Sequence, residues 1–248
     1  MQVLVTAGAS GIGRAIAERF ADSGATVRIC DVSAQAIALL GRERPDIAAT
    51  QADVADQDQV SALFEAVGPS LDVLVNNAGI GGPRGPVEAI DDAEWERTMA
   101  VNVTGAMRVT RHAVRLMKAA GSGAIVNIST ASVRTGLPQR TAYVTSKQAL
   151  MGLTANLARE LGPDNIRCNA ILPGLIDNPR GRSLVEQAAA SQGRSVAEVE
   201  AEMLRFISMR CWINPTEVGD LAVFLASDAA RHITGQFIAV CGGAEWEG

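Results

Sequence analysis

Short apolar runs alternate with stretches of helical spacing along almost the whole chain, and this alternation restricts the fold more than any other feature. Strand-like runs lie at 2–6, 26–30, 47–51, 71–75, 124–128, 166–172 and 237–240. Helical patterns fill 12–23, 33–42, 56–67, 92–119, 143–161, 181–209 and 216–226. In 12–23 the residues Ile12, Ala15, Ile16, Arg19 and Phe20 share one face, and Gly24 suits the stop. Asn214-Pro215-Thr216-Glu217 reads as a capping-box start for the last helix. Strands alternating with helices predict a parallel sheet covered on both faces. Right-handed crossovers then give a doubly wound α/β fold of three layers, αβα. All of 1–248 reads as a single domain, with 178–214 departing from the rhythm as a helical insertion.

Composition narrows the function classes. Hydrophobic residues make up 48% and charged residues 20%, which is enough to fill a core and excludes intrinsic disorder. The net charge of −5, without a Lys/Arg-rich block, argues against nucleic-acid binding. No apolar stretch reaches the ~20 residues of a membrane span. The first residues have no basic leader and read at once as a strand, so no signal or transit peptide is expected. The four cysteines form no CxxC pair, and with only two histidines a metal site has few ligands. The expectation is a reduced, cytoplasmic protein with no metal and no membrane or nucleic-acid partner.

The first motif joins the first strand to the first helix: Thr6-Ala7-Gly8-Ala9-Ser10-Gly11-Ile12-Gly13. Glycines let a backbone approach a pyrophosphate, and a helix N-terminus supplies free N–H groups and a positive dipole end. The same turn without a ligand is simply a tight connection. Asp31 ends the second strand, near the offset of about 20 residues at which a carboxylate meets the ribose of a dinucleotide. It would accept from both ribose hydroxyls of NAD and repel the extra phosphate of NADP. Asp53-Val54 after the third strand can hold an adenine edge or cap a helix. In Asn76-Asn77-Ala78-Gly79, paired amides can pin adjacent strands and line a cleft.

Tyr143-Val144-Thr145-Ser146-Lys147 carries the chemistry. Residues four apart share a helix face, so phenol and ammonium lie together. A nearby cation favours the phenolate, and such a group can take or give a proton on a hydroxyl or carbonyl. Tyr143 is the only tyrosine in the chain.

Taken in order, the glycine turn, Asn76-Asn77-Ala78-Gly79, Asn102, Tyr143 with Lys147, and Pro173-Gly174 resemble the short-chain dehydrogenase/reductase family, in its single-domain branch. The resemblance spans essentially the whole chain and implies a Rossmann-like oxidoreductase. It implies that Tyr143 is the general acid/base, that Lys147 binds the nicotinamide ribose, and that Asn102 holds a water linking Lys147 to solvent. A structural amide in a kinked helix is the rival reading of Asn102. By the same resemblance Gly8, Ser10, Gly11, Ile12, Gly13, Asp31, Asp53, Val54, Asn77, Ala78, Gly79, Pro173, Gly174 and Ile176 join Tyr143 and Lys147 in binding NAD. Subunits are expected to form a homo-oligomer, a tetramer in preference to a dimer, through small residues such as Ala106, Ala113, Ala149, Gly152 and Ala155.

Four positions depart from the family pattern. Thr130 stands where a serine is usual, thirteen residues before Tyr143, and its hydroxyl can still donate to a substrate oxygen. Ser129 should face the other way, and Ser132 can reach in if its loop folds back. Ala7 replaces the first glycine, which a methyl tolerates only at negative φ. Asn178 stands where a threonine often meets the carboxamide of the nicotinamide. Cys241 replaces a frequent aspartate and reads as packing.

The substrate pocket is expected from 80–88, 130–142 and 174–212, with the 181–209 helix as a lid over the cofactor. These segments carry Arg84, Arg134, Arg140, Arg180, Arg182, Arg194, Arg205 and Arg210, so one or two arginines can meet an anionic substrate group. Phe206, Met209 and Trp212 supply an apolar wall or pack the lid. The leading reading is an NAD-dependent enzyme interconverting a secondary alcohol and a ketone. The alternatives are a non-catalytic regulator and a redox-neutral lyase or dehalogenase on the same fold.

Overall fold

Val3 and Val5 of strand β1 (Gln2–Thr6) enter one buried cluster, and Leu4 enters another on the opposite face. That alternation is what a strand covered on both sides requires. The computed structural model describes residues 1–244. Six further strands follow: β2 (Thr26–Asp31), β3 (Ala48–Gln51), β4 (Val73–Asn76), β5 (Gly123–Ile128), β6 (Ile166–Pro173) and β7 (Phe237–Val240). They form one sheet in the order β3-β2-β1-β4-β5-β6-β7, with every neighbouring pair parallel. Val5 of β1 pairs with Ile29 on one side and Val75 on the other. The strand order therefore reverses between β1 and β4, where α/β sheets of this kind open a crevice.

One face is covered by α1 (Gly11–Asp22), α2 (Ala34–Glu43) and α10 (Pro215–Ala226), which bury Ile16, Phe20, Leu40, Val218 and Leu225. Gly219 lets α10 approach α1 closely: a Cβ there would lie 2.6 Å from Arg19 Cγ. The other face is covered by α3 (Gln57–Val67), α5 (Ala106–Ala120) and α7 (Thr141–Leu161), through Leu63, Val109, Met117 and Leu161. The expected three-layer, doubly wound sheet is the observed one. Fully buried side chains of this kind each contribute roughly 1.5–3 kcal/mol.

The differences from the sequence reading lie in the helices. The 92–119 pattern is α4 (Asp92–Met99), a π-helical turn (Ala100–Gly105), and then α5. The wide turn is packed at Gly105, where a Cβ would come within 2.7 Å of Val54 Cγ2. The 181–209 pattern is two helices, α8 (Pro179–Gln192) and α9 (Val196–Arg205). Gly193 ends α8 at φ 63°, and Ser195 with Glu198 forms a capping box that starts α9. That S-x-x-E pattern was the signal for the break. A short helix, α6 (Ser132–Thr135), interrupts the 130–142 loop. Asn214 and Glu217 cap α10 as expected. Ala106 and Ala113 are buried in their own chain, so they cannot pack across subunits; Gly152 and Ala155 are exposed. Among the described residues no helix is long and apolar enough to cross a membrane.

Candidate active site

The two loops that flank the strand-order reversal are tied together by Thr6 and Asn77. The Thr6 hydroxyl accepts the N–H groups of Asn77 and Ala78, each at 2.9 Å. Asn77 Nδ2 donates to the carbonyls of Thr6 and Ala7 at 3.0 Å. Gly13 sits under this clasp, where a Cβ would lie 2.1 Å from the Ala7 oxygen and 2.4 Å from Asn77 Nδ2. Ser10 begins α1 without a side-chain cap bond, so no cap shields the first N–H groups of the helix. Ala7 departs from expectation: its φ is +50°, in the left-handed region, rather than negative. The Asn77 clasp on its carbonyl holds it there, at a cost of about 1–2 kcal/mol.

Asp31 stands at the end of β2 with its carboxylate buried. It accepts the N–H of Ala9 at 3.1 Å and of Ser33 at 3.0 Å. Among the described residues no lysine or arginine forms an ion pair with it. Asp53 does not cap α3; Asp56 does, and Asp53 instead accepts the Ala55 N–H and pairs with Arg97 at 2.9 Å. Asn76 pins strands as anticipated, donating to Asn127 Oδ1 and Thr110 Oγ1 at 2.9 Å.

Tyr143 and Lys147 lie one turn apart on α7, at the same end of the sheet. Lys147 is buried, and its ammonium donates to the Ile128 carbonyl at 2.8 Å. Burial first, and then the charge of Arg180, pulls its pKa down to about 8. A Cβ on Gly79 would be 3.0 Å from Lys147 Nζ and 3.3 Å from Asn102 Oδ1, so the glycine leaves room for both. The Asn102 amide is engaged on three sides: Oδ1 accepts the Ile80 N–H at 2.8 Å, and Nδ2 donates to the Ile80 carbonyl and to Ser146 Oγ. Ser146 in turn donates to the Tyr143 carbonyl at 2.7 Å. The π-helical turn thus fixes the loop after β4 to the start of α7. Ser129 Oγ faces α7, donating to the Lys147 carbonyl at 3.0 Å, whereas Thr130 Oγ1 lies 3.3 Å from Ser132 Oγ. The loop does fold back, as α6.

Thr130, Ser132 and Tyr143 line an open cavity of about 580 Å³, together with Ile12, Pro173, Gly174, Ile176 and Asn178. Asn178 caps α8, accepting the Gly181 N–H at 2.8 Å, and its Nδ2 reaches within 3.9 Å of where a Gly11 Cβ would sit. Phe206 reaches the cavity wall. Met209 is 71% exposed, and Trp212 packs between α8 and α9. Cys241 packs against Gly174, whose Cβ would lie 2.7 Å from the Cys241 Cα.

Five of the eight pocket-segment arginines are occupied elsewhere. Arg182 pairs with Asp177 and Glu200, Arg194 with Glu202. Arg134 donates to the Phe237 carbonyl, Arg210 to the Leu204 and Ile207 carbonyls, and Arg205 covers Phe206. Arg84, Arg140 and Arg180 line the cavity. Arg140 lies over the Tyr143 ring, a contact that sequence spacing did not reveal.

Comparison with known proteins agrees with this geometry. A family model described as enoyl-(acyl carrier protein) reductase matches residues 6–245. A cis-4-hydroxycyclohexanecarboxylate dehydrogenase of Sinomonas cyclohexanicum is 38% identical over 246 residues, covering 97% of this chain and 94% of the relative. The structure of an actinorhodin polyketide ketoreductase variant with NADPH has a TM-score of 0.91 at 30% identity, covering 98% of this chain and 96% of the other. The structure of an NAD+-bound xylitol dehydrogenase has a TM-score of 0.89 at 30% identity, covering 98% of each chain. These named relatives are dehydrogenases and reductases, which supports an oxidoreductase activity. With its reversed strand order, its clasped glycine turn and its Tyr143–Lys147 helix, the chain belongs to the short-chain dehydrogenase/reductase family.

Proposed function

We propose that the chain is an NAD(H)-dependent oxidoreductase that interconverts a secondary alcohol and a ketone, with Tyr143 as general acid/base. The observation that carries this reading is that Tyr143 and Ile12 of the glycine turn line one cavity, with the buried Lys147 ammonium one helical turn from Tyr143 on α7. The residues fit a dinucleotide: Gly79 leaves the space above Lys147 open, and α1 begins with uncapped N–H groups. Gly8, Ser10, Gly11, Ile12 and Gly13 would hold its pyrophosphate, and Asp53 with Val54 its adenine. Ala78 and Gly79 would border the dinucleotide on the other side of the cleft. Pro173, Gly174 and Ile176 would hold its nicotinamide end.

Asp31 favours NAD over NADP, because a buried carboxylate with no cation paired to it among the described residues repels a phosphate. When bound, the nicotinamide supplies or accepts the hydride. Tyr143 gives or takes the proton on the substrate oxygen, and Thr130 donates a hydrogen bond to that oxygen. Lys147 holds the ribose. Asn102 positions both groups through Ile80 and Ser146 and holds the water that links Lys147 to solvent.

The whole chain acts as one domain. Helices α8 and α9 close over the cofactor and exclude water. The chain assembles as a homotetramer through the exposed small residues of α7, Gly152 and Ala155. The test is a screen of secondary alcohols and hydroxy acids with NAD+, following NADH absorbance and repeated with NADP+. Turnover with NAD+ at a kcat/KM at least tenfold above that with NADP+ is expected. A preference for NADP+ overturns the role given to Asp31, and no turnover with either overturns the reaction.

A further inference from the structure

Arg84 of the loop after β4, Arg140 at the N-cap of α7 and Arg180 in the first turn of α8 are far apart in sequence and line one cavity with Tyr143. Arg140 Nη2 and Arg180 Nη2 would lie 2.5 and 3.0 Å from a Cβ on Gly81, so the two forks converge on one point. Arg140 donates to the Gly81 carbonyl at 2.6 Å, and its Nε is buried with no hydrogen-bond partner among the described residues. No carboxylate among those residues forms an ion pair with any of the three. Like-charged guanidinium groups gathered without an acid repel one another, and an anion between them removes that repulsion. Burial, and then the charge of Arg84, lowers the pKa of Arg140; the charge of Arg180 acts in the same direction.

We infer that these three arginines form a clamp for an anionic group of the substrate, a carboxylate, which they hold beside the Tyr143 phenol. The inference rests on the reading of Tyr143 as the reacting acid/base. A cofactor pyrophosphate is the other anion of this site, but the uncapped start of α1 already provides for it. Leu137, Leu184, Met203 and Phe206 line the same cavity and supply apolar surface. The substrate that fits both has an apolar body and carries its carboxylate close to the secondary hydroxyl or ketone. A planar carboxylate suits two guanidinium forks.

The test titrates cyclohexanecarboxylate, and separately neutral cyclohexanecarboxamide, into the NADH-saturated enzyme by calorimetry. The carboxylate is expected to bind at least tenfold tighter than the amide. Arg180→Met should erase that preference, Arg180→Lys should restore part of it, and the NADH affinity of both variants should stay within twofold of the parent. Equal binding of acid and amide to the parent overturns the clamp. So does an Arg180→Met variant that keeps the preference, or one whose main loss is in NADH affinity, since the guanidinium would then serve the cofactor. Carboxylate binding erased by Arg180→Met, together with no oxidation of any hydroxy acid, supports the clamp and overturns the reaction instead.

Discussion

The guanidinium carbon of Arg140 lies 5.2 Å from the centre of the Tyr143 ring. The same guanidinium holds the Gly81 carbonyl, so one side chain joins the loop after β4 to the start of α7. The contact over the ring and the half-buried hydrogen bond are each worth roughly 1 kcal/mol. Arg140→Met is therefore expected to lower the thermal midpoint of the protein without ligand by several degrees. Arg180→Met, at an exposed position without an ion-pair partner among the described residues, removes a like charge from beside Arg140 and Lys147 and should leave the midpoint unchanged or slightly raised. Differential scanning calorimetry of the two variants checks this.

Asp31→Asn keeps an acceptor at the end of β2 and removes the charge. The ratio of kcat/KM for NAD+ over NADP+ should fall about tenfold, equivalent to ~1.4 kcal/mol. Steady-state kinetics with both cofactors measure it, and an unchanged ratio removes Asp31 as the selecting group.

Ala7→Gly should stabilise the protein, against the usual direction of that exchange. The left-handed conformation at φ +50° is costly for alanine and free for glycine. The added freedom of the unfolded chain offsets about 0.4–1 kcal/mol. The net gain is expected to be about 0.5–1 kcal/mol, read as a higher urea midpoint with an unchanged slope.

Lys147 makes stability depend on alkaline pH. Below about 8 it is charged in both folded and unfolded chains, and burying it is a constant cost. Between about 8 and its ordinary 10.5 the folded chain has released the proton and the unfolded chain has not, so stability rises with pH. Urea unfolding of the parent minus that of Lys147→Met should rise by on the order of 3 kcal/mol across this window. A difference that stays flat would place the ammonium in water.

The sheet and the chemistry of α7 were legible because both rest on local spacing: strand alternation, a glycine turn, and two residues one helical turn apart. Ala7 was misread because its φ is imposed by Gly13 and Asn77, the second of them 70 residues away. The π-helical turn around Asn102 leaves no mark on a periodicity that tolerates one extra residue. The break at Gly193 did carry a signal, Ser195 with Glu198, hidden by the continuous helical pattern around it. Which three of the eight arginines meet was beyond reach, since only the fold brings residues 84, 140 and 180 together.

Tyr143→Phe removes one oxygen from the cavity and leaves the hydrogen bonds of Lys147 to Ile128 and of Asn102 to Ile80 and Ser146 in place. Stopped-flow NADH formation in a single turnover, paired with a fluorescence titration of NADH, isolates what that oxygen does. The hydride step is expected to slow by roughly 10²–10⁴-fold while NADH affinity stays within twofold. A variant that still forms NADH at near-parental rate would contradict Tyr143 as the group that moves the proton.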